Sequence, residues 1–215
     1  MKILAIETSG QAFGVAVFED GKVVGEIFED SGFIHSEKLI PRITGLLKCA
    51  RWNLKDLDKV AVSTGPGSFT GIRVGLTCAK LLSQALDIPV IGVGTLSLLK
   101  TAVPEGDYSV VAAIDAGRGE VYVEGDASGI VDVKKYFTAC KKIKGRILVT
   151  GNAAVVYAEV IKRALGTKAV KTPPKYVFPR AGVLAAMAEK TRGGAFNKLK
   201  ACYVRRSWAE EKSKK

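Results

Sequence analysis

Apolar residues come in short runs and alternations through the first thirty positions, and then the period changes. Ile3-Leu4-Ala5-Ile6 is an apolar run, Phe13, Val15 and Val17 alternate along a second segment, and Val23 to Phe28 form a third. Asp20-Gly21 stands between the last two as a hairpin turn signal, so these segments predict a β-meander. From Ser36 to Ala50 the apolar residues fall at 39, 40, 43, 46, 47 and 50, the spacing of an amphipathic helix with Pro41 in its first turns. Lys59 to Thr64 predicts a strand, 65–71 a glycine-rich turn, the residues up to about Ala85 a helix, and Pro89 to Val93 a short buried strand. Three strands followed by helix, strand, helix, strand predict a mixed sheet covered by helices.

The second half restarts this pattern. Val110 to Ile114, Glu120 to Glu124 and Ile147 to Thr150 predict strands, Ala153 to Leu165 a helix, and Ala181 to Lys190 a shorter one. Pro173-Pro174 marks a loop, and 209–215 is a polar tail. Ala5-Ile6-Glu7-Thr8-Ser9-Gly10 resembles Ala113-Ile114-Asp115-Ala116-Gly117-Arg118: an apolar strand ending in a carboxylate, small turn residues, then a second strand. Such a repeat, opening each half of the chain, implies a duplicated fold of two related lobes.

Composition excludes several classes. No apolar run approaches the roughly 20 residues of a membrane span, and MKILAIETS is too short and acidic for a signal peptide, which makes the cytoplasm the expected location. Cys49, Cys78, Cys140 and Cys202 are widely spaced with no C-x-x-C pair, as expected of reduced thiols rather than a zinc cluster. His35 is the single histidine, so metal motifs needing two are out on counting alone. Charge is uneven: 1–100 hold 11 basic and 10 acidic residues, whereas 131–180 hold 12 basic residues against Asp132 and Glu159. That asymmetry points to an acidic partner, nucleic acid first, or to a solvated lysine-rich surface.

Three features carry candidate chemistry. GPGSFTGIRVG (65–75) follows a strand and opens a helix, a setting that suits an anion, while a tight turn that only glycine can follow is the alternative. It is neither a Walker A loop nor a G-x-S-x-G elbow. In the helix that follows, Arg73, Thr77, Lys80 and Gln84 form one polar stripe, and Gly71, Gly75, Ala79 and Ser83 form a stripe of small residues. That helix is covered on two sides, by its own fold or by a partner. Glu7 with Thr8, Ser9 and Gly10, and Asp115 with Gly117, suit either a metal-bound phosphate or ordinary turns.

The opening ILAIETS, IHSEKLIP (34–41), VSTGPGSFTGIRVGLTCAKLL (62–82), DIPVIGVGTL (87–96), AAIDAGRGEVY (112–122) and YVRR (203–206) together resemble the TsaB family, also called YeaZ. The resemblance implies an α/β fold of the actin-like, sugar-kinase-like (ribonuclease H-like) ATPase class, with two duplicated lobes. The expected first lobe is 1–100 with 195–215 packing back, and the second, reduced lobe is 101–194. It implies a role in forming N6-threonylcarbamoyladenosine beside the tRNA anticodon. There TsaD transfers the threonylcarbamoyl group, TsaB binds TsaD, and the small ATPase TsaE joins them.

In the resemblance, Glu7, Thr8, Ser9, Gly65, Gly67, Ser68, Asp115 and Gly117 would be degenerate nucleotide or phosphate loops. Leu39, Ile43, Leu46, Gly71, Val74, Gly75, Cys78 and Leu81 would form a partner interface, used for TsaD or for a homodimer when the chain is alone. No catalytic residue, metal or cofactor is expected. TsaD has a histidine-rich motif where this chain has Gly94-Thr95-Leu96-Ser97-Leu98-Leu99, and catalytic relatives have a Gly-Gly turn where this chain has Thr150-Gly151-Asn152. The expected role is therefore a non-catalytic partner that meets tRNA through the assembled complex. The alternatives are a small kinase or ATPase using Glu7, Asp115 and the 65–71 loop, and a protease, for which no Ser/His/Asp or Cys/His arrangement is legible.

Overall fold

The computed structural model describes residues 1–30, 35–124 and 129–204, without the side chains of His35 and Ser36. The polar tail at 209–215, the two arginines of YVRR and the first residue of IHSEKLIP lie outside the described residues. The described residues divide into two compact units, Met1–Leu98 with Pro179–Cys202, and Leu99–Phe178 with Tyr203 and Val204.

In the first unit the meander forms as β1 (Lys2–Glu7), β2 (Ala12–Glu19) and β3 (Lys22–Asp30), joined by β4 (Lys59–Ser63) and β5 (Val90–Val93) in the order β3-β2-β1-β4-β5. β1 is antiparallel to β2 and parallel to β4, and β4 is parallel to β5. Asp20 and Gly21 both take positive φ, 46° and 82°, as a tight hairpin between right-twisted strands requires.

Side chains alternate across this sheet, and its two faces have different covers. Leu4, Ile6, Phe13, Val15, Val17, Val60 and Val62 meet helices α1 (His35–Cys49) and α2 (Phe69–Leu86) on one face. Ile3, Ala5, Ala16, Phe18, Ala61, Ile91 and Val93 meet Ala181, Leu184, Ala185 and Ala188 on the other. Leu98, at the end of this unit, joins that second face from helix α3 (Thr95–Thr101), a helix the periodicity does not predict.

The second unit repeats the plan. Strands β6 (Ser109–Gly117), β7 (Glu120–Val123), β8 (Ile130–Asp132), β9 (Ile147–Thr150) and β10 (Ala169–Val170) lie in the order β10-β9-β6-β7-β8. β6 is antiparallel to β7 and parallel to β9. Numbered from the first strand of each half, the two sheets have the same order and directions. This is a duplicated α/β arrangement, with one five-stranded mixed sheet and its own covering helices in each half. Helices α4 (Val133–Cys140), α5 (Ala153–Val156) and α6 (Ala158–Leu165) bury Val133, Phe137, Ala153, Ile161 and Leu165 against one face.

Three features differ from the sequence expectation. The 131–146 segment is not bare surface: Val133, Phe137 and Cys140 are spaced one helical turn apart and buried, and Asp132 caps the helix by accepting from Lys135 N–H at 2.9 Å. The single helix over 153–165 is two, broken at Tyr157, where φ −114° and ψ 27° leave the helical region. Residues 179–194, expected in the second lobe, lie in the first unit, because helix α7 (Ala181–Glu189) supplies the apolar face that its sheet needs. Arg180, at the start of α7, makes two hydrogen bonds to the Glu26 carboxylate, at 3.0 and 3.2 Å. The chain then runs along the edge of the sheet. Val90 and Gly194 exchange backbone hydrogen bonds at 3.1 and 3.2 Å, and Cys202 N–H donates to Thr64 O at 2.7 Å.

Candidate functional site

The C-terminal ends of β1 and β4 form a closed turn. Glu7 is the last residue of β1 and only 1% exposed; its Oε1 accepts from Ser9 N–H at 2.7 Å and from Ser9 Oγ–H at 2.5 Å. Ser68 N–H donates to Ser9 O at 2.7 Å, and the Ser68 hydroxyl accepts from Gly71 N–H at 3.1 Å, which makes Ser68 the cap of α2. Gly67 lies so close to this turn that a Cβ there would stand 2.1 Å from Ser9 O. Thr8 Oγ–H donates to Gly71 O at 2.8 Å, and a Cβ on Gly75 would stand 2.2 Å from Thr8 Oγ1. Gly65 O accepts from Thr95 N–H at 2.8 Å. Glu7, Thr8, Ser9, Gly65, Gly67 and Ser68 are thus brought together, but each is committed to another part of the chain. They do not fit a metal-bound phosphate: the Glu7 carboxylate is buried, its Oε1 is taken by Ser9, and Gly67 is packed onto the Ser9 carbonyl.

Burial pushes the Glu7 carboxyl above its ordinary pKa of 4.5, against the opposing pull of the Ser9 hydrogen bonds and of the nearby Ser63 hydroxyl. Its Oε2 is left without a partner, as are Ser63 Oγ and Thr95 Oγ1. A proton on Glu7 is favoured in the folded state, so the folded protein holds more protons than the unfolded chain at pH values above 4.5 and below the raised folded value. The stability contributed by Glu7 is full below 4.5 and is lost as pH climbs through that window. The Glu7→Gln variant keeps the acceptor for Ser9 and cannot ionise. Thermal melts across pH should show the wild type losing ground to this variant as pH rises. Parallel curves would mean that Glu7 carries its charge in the folded state.

The second unit has the same hairpin with a more open acid. Asp115 is half-buried, and its Oδ1 accepts from Gly117 N–H at 2.9 Å and from the Tyr157 hydroxyl at 2.7 Å. The carboxylate-to-second-next N–H bond is the one Glu7 makes to Ser9, so the repeat in sequence is a repeat in geometry. Burial, and then the bond to Asp115, push the Tyr157 hydroxyl up to about 12, which keeps it a donor at neutral pH. Asn152 Oδ1 accepts from Asp115 N–H at 2.9 Å, and Gly151 N–H donates to Tyr176 O at 3.0 Å. A Cβ on Gly151 would stand 2.2 Å from Ala113 O, so this turn too is filled from within. Asn152 was legible as a turn residue after a strand; nothing in the spacing marked Tyr157.

The helical residues expected at a partner interface divide sharply. Leu39, Ile43, Leu46, Gly71, Gly75 and Cys78 are buried in the core of the first unit, and Val74 is half-buried. Leu81 alone among the eight stands out, at 61% exposure. The stripe of small residues faces the chain's own sheet, with Gly71 and Gly75 against Thr8, just past β1, and Gly75 also near Val62 of β4. The outer side of α1 and α2 is instead Ile40, 55% exposed, with Pro41, Thr44 and Gly45, beside Arg73, Thr77, Leu81 and Gln84. Burial pushes the Cys78 thiol up to about 11, which keeps it protonated at neutral pH. Among the described residues no group of three or more His, Cys, Asp or Glu side chains could hold a metal ion, and no helix is long and apolar enough to cross a membrane.

Comparisons with known proteins agree with this architecture. A family model described as TsaD, tRNA N6-adenosine threonylcarbamoyltransferase, matches residues 29–139. The chain is 31% identical to the tRNA threonylcarbamoyladenosine biosynthesis protein TsaB of Bacillus subtilis, across 99% of this chain and 97% of that protein. It is 39% identical to the Escherichia coli protein of the same name, across 57% of this chain and 53% of that protein. The solved structure of YeaZ from Pseudomonas aeruginosa matches with a TM-score of 0.73 and 25% identity, across 94% of this chain and 99% of that one. A second structure, of an uncharacterized protein with similarity to peptidase YEAZ from Pseudomonas aeruginosa, matches at 0.80 and 25%, across 95% and 99%.

Proposed function

Because the chain belongs to the TsaB (YeaZ) family of tRNA threonylcarbamoyladenosine biosynthesis proteins, we propose that it serves this pathway as a non-catalytic partner of the transferase TsaD. The supporting observation is the closed turn: Glu7 is sealed at 1% exposure and held by Ser9, while Gly67 is pressed onto the Ser9 carbonyl. A carboxylate that must steer a metal-bound phosphate has to reach it, and this one cannot. The chain therefore works through its surface, and the transferase and the small ATPase TsaE supply the chemistry in a cytoplasmic assembly. Calorimetry of the isolated chain with ATP and magnesium tests this reading. No binding heat is expected; stoichiometric binding would favour a kinase or ATPase.

The surface used is the outer side of α1 and α2, centred on Ile40 and Leu81, and the same side pairs two copies when TsaD is absent. Leu81→Glu would bury an unpaired charge at its centre, which costs on the order of 3 kcal/mol and weakens association by about two orders of magnitude. Leu81 is exposed in the chain alone, so the variant should melt like the wild type. Sedimentation with TsaD reads the outcome, and unchanged association in both Leu81→Glu and Ile40→Asp would move the interface elsewhere.

A further inference from the structure

We propose that the second unit carries a built surface for the phosphate backbone of RNA, formed by the end of α4, the 141–146 loop and the adjoining end of α6. The inference rests on the tRNA-pathway reading above and names the part of this chain that meets the RNA. Lys134, Lys135, Lys141, Lys142, Lys144 and Arg146 are all exposed and lie within thirteen positions. Helix α6, packed beside α4, adds Lys162 and Arg163, also exposed. The acids nearby do not balance them. Asp132 is spent as the α4 cap, and Glu159, one helical turn before Lys162 and Arg163 on α6, is the one other acid of 131–180 and cannot offset eight cations. Among the described residues none of these eight cations forms an ion pair. Arg180, counted with the basic segment in the sequence, is different: it is tied to Glu26 in the first unit.

The loop between α4 and β9 is held in place rather than merely solvated. Lys168 Nζ donates to the carbonyls of Lys141 and Ile143, at 2.8 and 2.9 Å, and Ile143 packs against the core of the unit. Two of the loop's carbonyls thus meet the half-buried Lys168, while its four cations are exposed. A positive surface on a fixed frame suits a regular row of phosphates, where cations position the partner without reading its bases. The local aromatic pair is turned inward, Phe137 fully buried with Tyr136 edge-on to it at 5.3 Å, so stacking on bases is not offered. An acidic protein partner would need an apolar anchor at its centre, and the exposed residues between these lysines are the small Thr138, Ala139 and Gly145.

The test uses the full chain, alone and assembled with TsaD, and an unmodified tRNA transcript with a fluorescent label. Four duplex-phosphate contacts contribute about −3.6 to the log–log salt slope, so doubling the salt should weaken wild-type binding about twelve-fold through them. The quadruple variant K141E/K142E/K144E/R146E should lose that part of the slope and bind at least ten-fold more weakly at low salt. The neutral variant K141Q/K142Q/K144Q/R146Q should lie between the two, and its titration decides the question if the glutamate variant fails to fold. Unchanged affinity and slope in a folded variant that still sediments with TsaD overturn the proposal. So does a wild type that binds polyglutamate more tightly than tRNA, which would mark an acidic polypeptide as the partner. If the wild type does not sediment with TsaD, the partner reading fails instead, and the titration with the chain alone still decides the surface.

Discussion

Replacing Gly67 by alanine is expected to cost about 3–5 kcal/mol of folding stability, from backbone strain and overpacking together. Its φ is 153°, and the added Cβ would stand 2.1 Å from Ser9 O, a backbone atom that cannot swing aside because Ser9 is itself held by Glu7 and Ser68. Relief would require the 65–68 turn to lift off β1 and uncap α2. Gly21→Ala is the internal control. Gly21 has a φ of 82° but nothing within 4 Å, so strain alone applies, about 1 kcal/mol. Urea denaturation of the two variants should separate them by a factor of about three or more in ΔΔG. Equal losses would mean that the turn does not rest on Ser9.

Gly75→Ala should invert an ordinary rule. Alanine in a helix interior is worth up to about 1 kcal/mol over glycine, yet here the new Cβ would lie 2.2 Å from Thr8 Oγ1, which is bonded to Gly71 O. A net loss of about 2 kcal/mol is expected once overpacking outweighs propensity. Thr8→Ala removes the obstacle and the bond together, so the double variant should be more stable than the sum of the single losses implies. Gly45→Ala in α1, with open space around it, should stabilise instead. Additivity between positions 8 and 75 would show that α2 sits further from β1 than these distances state.

Much of the fold was legible because it is written in periods. The meander strands, α1, α2, β4, β5, β6, β7 and β9 fall within a few residues of the segments that alternation and helical spacing predict. The carboxylate hairpins at Glu7 and Asp115 announced the duplication, because each acid ties the N–H two residues on. Periodicity names an apolar or small face but not what lies across it. The stripe from Gly71 to Ser83 therefore looked equally suited to a partner and to the chain itself, and Thr8, sixty-three residues from Gly71, decided it. Helix α4 was hidden because its lysines dominate its composition while only Val133, Phe137 and Cys140 carry its buried face. The sealing of Glu7 also had no sequence signal. Ser9 stands more than fifty residues before Ser63 and Gly67, and only the sheet brings them to one end.

The return of 179–202 to the first unit bears on how the chain is made. Ile3, Ala5, Ala16, Phe18 and Ala61 are synthesised before the second unit, but the helix that covers them, with Leu184 and Ala188, comes only after Leu99–Phe178 of that unit. A nascent chain ending near residue 98 has a sheet with one bare apolar face and an edge at Val90 still waiting for Gly194. Such surfaces are where growing chains aggregate or recruit chaperones. The elements of the second unit from β6 to α6 are contiguous and can pair as they emerge, whereas the sheet of the first unit keeps an open face until 179–202 follow.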